Sequence, residues 1–290
     1  MTLIQEPAAA KINLTLDVLG RRGDGYHELY SLVVFARDAG DILTLAPASA
    51  TSLTITGPFA SAIEGTNILD RAIEALRQVG VNVGAVALSK HLPIASGIGG
   101  GSTDAAALLR AVRRALRDAG DRVPWPDIAA RLGADVPVCV TDRPAWMSGA
   151  GERVEAIVPF PMLAAVLVNP LAAVPADKTA QVFRALGLAP GARLSTSESP
   201  QRPEFASSSD VIGFVRSHPN ALTQPACSVV PSIRAVLTAL DATARCRVAR
   251  MSGAGPTCFG LFDDQEAAIG AAAELTAAHP RWWVRSTRLS

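Results

Sequence analysis

The sequence predicts an α+β protein of two lobes that meet near residue 155, and three observations carry that expectation. Apolar and polar residues alternate with period two near the N-terminus, the pattern of a half-buried strand. Helical stripes and strand-like runs then follow in mixed order. Beyond residue 155 a buried strand, MLAAVLVNP, opens a second half. At 290 residues the chain is one large domain or two ordinary ones, and the expected division is 1–155 and 156–290.

The elements follow in order. In KINLTLDVLG, Ile12, Leu14, Leu16 and Val18 face one way and Lys11, Asn13, Thr15 and Asp17 the other, so residues 11–20 read as one strand with a polar, solvated face. After the turn-rich RRGDGYHE come the strand-like runs LYSLVVFA, DILTLAP and SLTITG. TNILDRAIEALRQVG is helical, with Asn67 as its cap and Gly80 as its stop. VALSKHLP reads as a strand leading into a glycine-rich loop. From Ser102 the pattern turns helical, with Ala105, Leu108, Leu109, Val112 and Leu116 in one stripe and Ser102 or Thr103 as N-cap. PDIAARLG makes a short helix ending at Gly133 and leading into ADVPVCV. In the second half, LGLAPGARLSTSESPQRPEFASSSD reads as an exposed loop. SIRAVLTALDATA and QEAAIGAAAELTAAH read as helices, and RVARM, CFGLF and RWWVRST as strands.

Composition excludes several classes. The net charge is +1, and the arginines of RAVRRALRDAGDR fall on the polar face of a helix, so a nucleic-acid surface is not expected. No run of about 18 uncharged apolar residues points to a membrane span, and MTLIQEPAAAKINL lacks the pattern of a secretion signal. Cys139, Cys227, Cys246 and Cys258 share no metal-ligand spacing and read as reduced, buried thiols of a cytoplasmic protein.

The stretch that calls for chemistry is LPIASGIGGGSTDAA. Gly97, Gly99, Gly100 and Gly101 directly precede two hydroxyls and a helix. Each glycine costs backbone entropy on ordering. A strand, a glycine run and a helix N-terminus together place free N–H groups and a positive dipole end in one spot, which suits a phosphate. The loop is no Walker motif, because no Gly-Lys-Ser/Thr closes it. It also lacks the acidic residue of a dinucleotide fingerprint.

PIASGIGGGSTDAA resembles the phosphate-binding second motif of the GHMP kinases, the family of galactokinase, homoserine kinase and mevalonate kinase. PAAAKINLTLDVLGRRGDGYHEL resembles the first motif, and RMSGAGPTCFGLF the glycine-rich third. The motifs stand in family order from residue 7 to 262. AKINLTLDVLGRRGDGYHEL, LGADVPVCV and SGAGERVEAI look most like the branch whose acceptor is a cytidyl-diphosphate ester of methylerythritol, in the non-mevalonate route to isoprenoid precursors.

The resemblance implies a two-lobed GHMP kinase fold, with a ribosomal protein S5 domain 2-like N-terminal lobe and a ferredoxin-like C-terminal lobe. It implies ATP and Mg²⁺, and transfer of the γ-phosphoryl to the 2-hydroxyl of the methylerythritol. By the same resemblance the nucleotide contacts Asn67 and its phosphates curl around Pro93, Ile94, Ala95, Ser96, Gly97, Ile98, Gly99, Gly100, Gly101, Ser102 and Thr103, with Ser102 the candidate Mg²⁺ contact. Lys11 orients the acceptor hydroxyl. Asp135 pairs with Lys11 and acts either as general base or as an electrostatic partner. Tyr26 and His27 hold the cytosine, Phe183 is the opposing aromatic face, and Asn13 and Asp17 reach the substrate. Ser252, Gly253 and Gly255 of the third motif let two loops approach; a tight hairpin would use the same residues. The expected assembly is a monomer or weak homodimer, with no nucleic-acid or membrane partner. Two alternatives stand beside this reading: another GHMP kinase with a different small acceptor, or a non-catalytic nucleotide-binding member.

Overall fold

The longest strand of the chain runs through residues that look like a turn. His27–Ala46 is one strand of 20 residues, where the sequence suggests two parted by RDAG. The turn-like residues are satisfied without turning. Asp38 accepts from Arg288 Nη2 at 2.6 Å. Gly40 lies against the neighbouring backbone, so that a Cβ there would sit 2.7 Å from the Ala8 carbonyl oxygen. Asp41 is buried in an ion pair.

The structure is a computed structural model and describes residues 3–63, 65–194 and 202–290. In order, its elements are β1 (Ile4–Asn13), β2 (Asp17–Arg21), β3 (His27–Ala46), β4 (Ser52–Thr56), α1 (Ile68–Gln78), β5 (Ala85–Ser89), α2 (Gly100–Leu116), α3 (Trp125–Leu132), α4 (Val136–Thr141), β6 (Ala145–Gly149), β7 (Arg153–Ala156) and β8 (Leu163–Asn169). Then come α5 (Lys178–Arg184), α6 (Ser208–Ser217), α7 (Thr223–Val229), α8 (Ser232–Ala242), β9 (Cys246–Met251), β10 (Cys258–Phe262), α9 (Gln265–Ala278) and β11 (Trp283–Leu289). The chain forms two compact units. One is Met1–Lys11, Ala39–Ile94 and Gly99–Asp142; the other is Ile12–Asp38, Ala95–Ile98 and Arg143–Ser290.

In the first unit, β4 pairs parallel with β5, and β5 pairs antiparallel with the Ile42–Ala46 end of β3. α1 starts where the sequence predicts. The Asn67 side chain accepts from Leu69 N at 2.9 Å, and Asp70 returns the bond to Asn67 N, a capping box. The apolar face of α1 (Leu69, Ala72, Leu76) packs with Leu108, Leu109 and Val112 of α2 and Ile128 and Leu132 of α3. Burial on α2 is wider than the predicted stripe and includes Ala106, Ala107 and Ala111. Small alanines let α1, α3 and α4 all close on this one helix. Arg110 is not a free surface cation: it donates to Glu6 at 2.7 Å, to Cys139 O at 2.6 Å and to Pro7 O at 2.7 Å.

In the second unit, β8, β9, β10 and β11 form an antiparallel sheet in the order β11-β8-β10-β9, and with α8 and α9 as connections the chain has the ferredoxin-like connectivity. Val166, Val168, Val236, Leu240, Phe262, Leu275 and Val284 are part of its core. The predicted strand 11–20 is two strands, because side chains replace backbone pairing at the break. Ser31 Oγ donates to Thr15 O at 2.6 Å, and Leu32 N donates to Thr15 Oγ1 at 3.1 Å. The predicted solvated face is buried as well: Lys11, Asn13 and Thr15 are each at most 3% exposed. Cys139, Cys227 and Cys258 are buried free thiols, and Cys246 is half-buried. Among the described residues no helix is long and apolar enough to cross a membrane.

One buried network of the first unit fixes how β5 leads to α2. Lys90 Nζ sits 2.5 Å from Asp41 Oδ2 and 2.6 Å from Asp104 Oδ2. The other oxygen of Asp41 accepts from His91 N and Leu92 N. Burial opposes the Lys90 charge, but Asp104 and Asp41 outweigh it and hold its pKa above the ordinary lysine value. Burial pushes the Asp104 carboxyl well up, and Lys90 draws it back only in part. Removing one partner of such a group leaves uncompensated buried charge. Lys90→Met should therefore lower the free energy of unfolding in denaturant by about 3–5 kcal/mol. A loss under about 1 kcal/mol, the scale of an exposed pair, would contradict this account.

Candidate active site

The glycine run performs two separate jobs. α2 begins at Gly100, with Gly99 as N-cap at φ 67° and ψ 18° and no side-chain cap. The predicted cap, Ser102 or Thr103, lies inside the helix instead. The left-handed cap conformation suits glycine, which places the helix start three residues earlier than the hydroxyls suggest. The first-turn N–H groups therefore have no capping side chain, and the helix of 17 residues points its positive end outward there. Thr103 is buried and donates its hydroxyl to Gly100 O at 2.9 Å. Ser102 stays half-exposed, so it is the hydroxyl that a ligand could meet.

Gly97 serves packing. Its φ is +78°, and a Cβ would sit 2.6 Å from Gly255 O and 2.8 Å from Ser252 O. A Cβ on Gly253 would sit 2.7 Å from Gly97 O. Ser252 Oγ donates to Gly97 O at 3.1 Å, and Thr257 N donates to Ser96 O at 3.0 Å. The Ser252–Gly255 loop is also a tight turn, closed by Gly255 N donating to Ser252 O at 2.9 Å. Both readings of these glycines hold together in the second unit. Ala95 takes φ 53°, a left-handed conformation uncommon for a residue with a side chain.

Lys11 and Asp135 form an ion pair at 3.0 Å, with the lysine 3% and the carboxylate 38% exposed. Asp135 precedes α4 without capping it, which leaves its carboxylate to Lys11. The lysine stem passes Gly99: a Cβ there would meet Lys11 Cβ at 3.1 Å and Cε at 3.3 Å. The pair thus stands beside the uncapped end of α2. Cys139 Sγ lies 4.0 Å from the same point, and burial drives its thiol pKa far above the ordinary range. Among the described residues no group of three or more His, Cys, Asp or Glu could hold a metal ion.

Of the other predicted residues, Asn13, Asp17, Tyr26, His27 and Phe183 lie in the second unit and Asn67 in the first. His27 stacks on Phe183 with centroids 4.6 Å apart and planes at 26°. Burial, then the charge of Arg21, lowers the imidazole pKa. Phe183, expected as the opposing aromatic face, has His27 as its ring partner. Tyr26 is 61% exposed, on a turn closed by Arg22 N donating to Tyr26 O at 2.7 Å. Asn13 Nδ2 donates to Ser31 Oγ at 2.8 Å, and Asn13 N donates to Ser252 Oγ at 3.1 Å. Asp17 is half-buried; burial raises its carboxyl pKa, and His218 offsets this in part. Asn67 already uses Oδ1 as a helix cap.

Two residues escape a sequence reading. Asn220 is buried and donates to Met251 O and Gly253 O, each at 2.8 Å, tying down the third motif. Lys178, also buried, donates to Ala95 O at 3.0 Å and to Gly255 O. A signal for the second existed. The chain has three lysines against 24 arginines, so each lysine is worth asking about.

Compared with known proteins, the chain is 48% identical to a 4-diphosphocytidyl-2-C-methyl-D-erythritol kinase of Methylobacterium radiotolerans, covering all of both chains. It is 46% identical to the protein of that name from Rhodopseudomonas palustris, covering 100% of this chain and 98% of the relative. The chain belongs to the GHMP kinases. Residues 67–143 of this GHMP kinase match the GHMP kinases N terminal domain, and 216–281 the C terminal one. A crystal structure of 4-(cytidine 5'-diphospho)-2C-methyl-D-erythritol kinase superposes with TM-score 0.74 at 32% identity, covering 99% of each chain. Homoserine kinase from Cytophaga hutchinsonii, 16% identical with TM-score 0.66 and covering 99% and 95%, shares the fold.

The two jobs of the glycines separate by substitution. Gly97→Ala in this GHMP kinase should lower stability by about 1–3 kcal/mol or more, from backbone strain and overlap. At Gly101 the nearest atom to a Cβ is Ile68 Cγ2 at 3.5 Å, an ordinary contact. Gly101→Ala should therefore leave the thermal midpoint within a few degrees. Equal losses in both variants would overturn the division.

Proposed function

We propose that this GHMP kinase transfers the γ-phosphoryl group of ATP to the 2-hydroxyl of 4-diphosphocytidyl-2-C-methyl-D-erythritol. The observation that carries the choice of substrate is the identity of 44–48% with relatives that bear that name and match nearly end to end. The chemistry is supported by the Lys11–Asp135 pair standing beside the uncapped end of α2.

In this reading the first-turn N–H groups of α2 cradle the nucleotide's phosphates, where helix-end donors and the dipole favour negative charge. Bound MgATP supplies the phosphoryl group and a cation that neutralises charge on it. Ser102 is the hydroxyl suited to that cation, since Thr103 is committed to Gly100 O. Asp135 accepts the proton of the acceptor hydroxyl, and Lys11 holds that hydroxyl and steadies the charge that develops on it. Asn13 and Asp17 bind polar groups of the substrate. Tyr26 lays its exposed ring on the cytosine, and the His27–Phe183 pair forms the opposite wall. His27, held neutral by its lowered pKa, bonds the polar edge of the base.

Asp135→Asn keeps the shape of the side chain and removes its basicity. Turnover should fall by about 10²–10⁴-fold with little change in substrate binding. Lys11→Met should act on turnover too, and the double variant should lose less than the product of the two effects. A fall under about threefold in Asp135→Asn would remove it from the reaction.

Substrate choice has its own test. Stacking on one aromatic ring contributes about 1–3 kcal/mol, so Tyr26→Ala and Phe183→Ala should each raise KM for the cytidyl substrate by about five- to 150-fold. KM for ATP should stay unchanged. An unaltered KM for the cytidyl substrate in Tyr26→Ala would point to a different small acceptor.

A further inference from the structure

The Lys11–Asp135 pair is carried by two elements far apart in sequence. Lys11 stands on β1 and Asp135 directly precedes α4, both in the first unit. α4 has six residues, too few for a helix that is stable by itself. Its buried Val136, Val138 and Cys139 press it into the core. Apolar contact is non-directional, so it does not fix where a short helix sits along its own axis. Something else must set the distance from α4 to β1.

Arg110 spans that gap. It projects from α2, the helix packed on α4, about 15 Å along the axis from Gly100. Its Nη1 donates to Cys139 O at 2.6 Å. Its Nη2 donates to Pro7 O, and its Nε to Glu6 Oε1, each at 2.7 Å. Cys139 O lies in the last turn of α4, where carbonyls lack a partner within the helix. The N–H of the same residue donates to Asp135 O at 3.2 Å, so the guanidinium reaches Asp135 through one residue. On the other side, Pro7 stands four positions before Lys11 on the same strand. Glu6 is buried and accepts from Arg114 as well, which anchors the strand side by charge.

We propose that Arg110 is a positioning residue for phosphoryl transfer, setting the distance between Lys11 and Asp135 by tying Glu6 and Pro7 of β1 to Cys139 of α4. The inference rests on Lys11 and Asp135 being the reacting pair. A guanidinium suits the task because it is planar and its donors are fixed relative to one another. The side chain is 17% exposed, so these bonds are largely shielded from water. A lysine ammonium, a compact point charge on a flexible stem, would serve one element or the other and would not measure the gap between them.

The test is the single-turnover rate of phosphoryl transfer from MgATP to the cytidyl substrate, with ADP affinity measured beside it by calorimetry. In Arg110→Met the rate should fall by about 10- to 100-fold, the scale of a misplacement of roughly 1 Å. ADP should still bind within about threefold of its natural affinity, because the helix start is left in place. Arg110→Lys should recover only part of the rate. Arg114→Met removes a half-exposed partner of the same glutamate but keeps the link to Cys139, so its rate should stay within about twofold. In an Asp135→Asn background, adding Arg110→Met should cost less than about threefold, since residues that act as a unit are not additive.

A natural rate in a folded Arg110→Met would overturn the proposal. Equal losses in Arg110→Met and Arg114→Met would do so too, as would full additivity with Asp135→Asn, because either marks a general structural effect. If Arg110→Met does not fold, Arg110→Lys carries the same comparisons. A natural rate in Asp135→Asn would instead overturn the reading of the pair, and the proposal with it.

Discussion

The site depends on one buried cation, Lys90, held between two carboxylates. Asp41 comes from the long strand β3 and Asp104 from the first turns of α2, and Lys90 follows directly on β5. Strand, loop and helix are thereby joined at one point before any ligand is considered. The second oxygen of Asp41 takes the N–H groups of His91 and Leu92, so the chain leaves β5 in a fixed direction. A Cβ on Gly100 would lie 3.2 Å from Lys90 Nζ, which shows how closely the helix start is set against the network. A flexible glycine run thus becomes a defined one. The freedom of its residues is removed from both ends by charge and by backbone packing, not by side chains of its own.

That arrangement explains why the glycines cluster as they do. Gly97 and Gly253 permit backbone to meet backbone, Gly255 makes room for the Met251 side chain, and Gly99 gives α2 a left-handed cap and lets the Lys11 stem pass. The ion pair of Lys11 with Asp135 is then placed by α4 and β1, elements that do not belong to the loop. Loop and reacting groups are set by separate parts of the first unit and meet at Gly99. Precision in such a site comes from rigid neighbours more than from the loop.

Much of this was legible in the sequence, and the failures share a cause. Periodicity located α1, α3, α8 and α9, and the apolar runs located β8 and β10, which are buried almost throughout. The reading failed where polar residues are buried. Lys11, Asn13 and Thr15 look solvated by alternation, yet each finds a partner inside the fold. The RDAG segment parts two strand-like runs, yet Asp38 is satisfied by distant Arg288, and Asp41, which follows it, by Lys90. The motifs pointed to Gly99–Thr103, Lys11 and Asp135, which the fold does bring together. They could not show which hydroxyl is free, since that depends on where α2 starts. The pairing of His27 with Phe183 and the burial of Lys178 join residues at least 77 positions from their partners in sequence, and no local pattern encodes that.

The thiol of Cys139 has a practical side. It lies near the Lys11–Asp135 pair and would be the natural target for a covalent inhibitor carrying a thiol-seeking group. Burial and the neighbouring Asp135 charge keep it protonated, and a protonated, enclosed sulfur is a poor nucleophile. A covalent compound aimed at the Lys11–Asp135 pair through this sulfur therefore meets a thiol in its unreactive form.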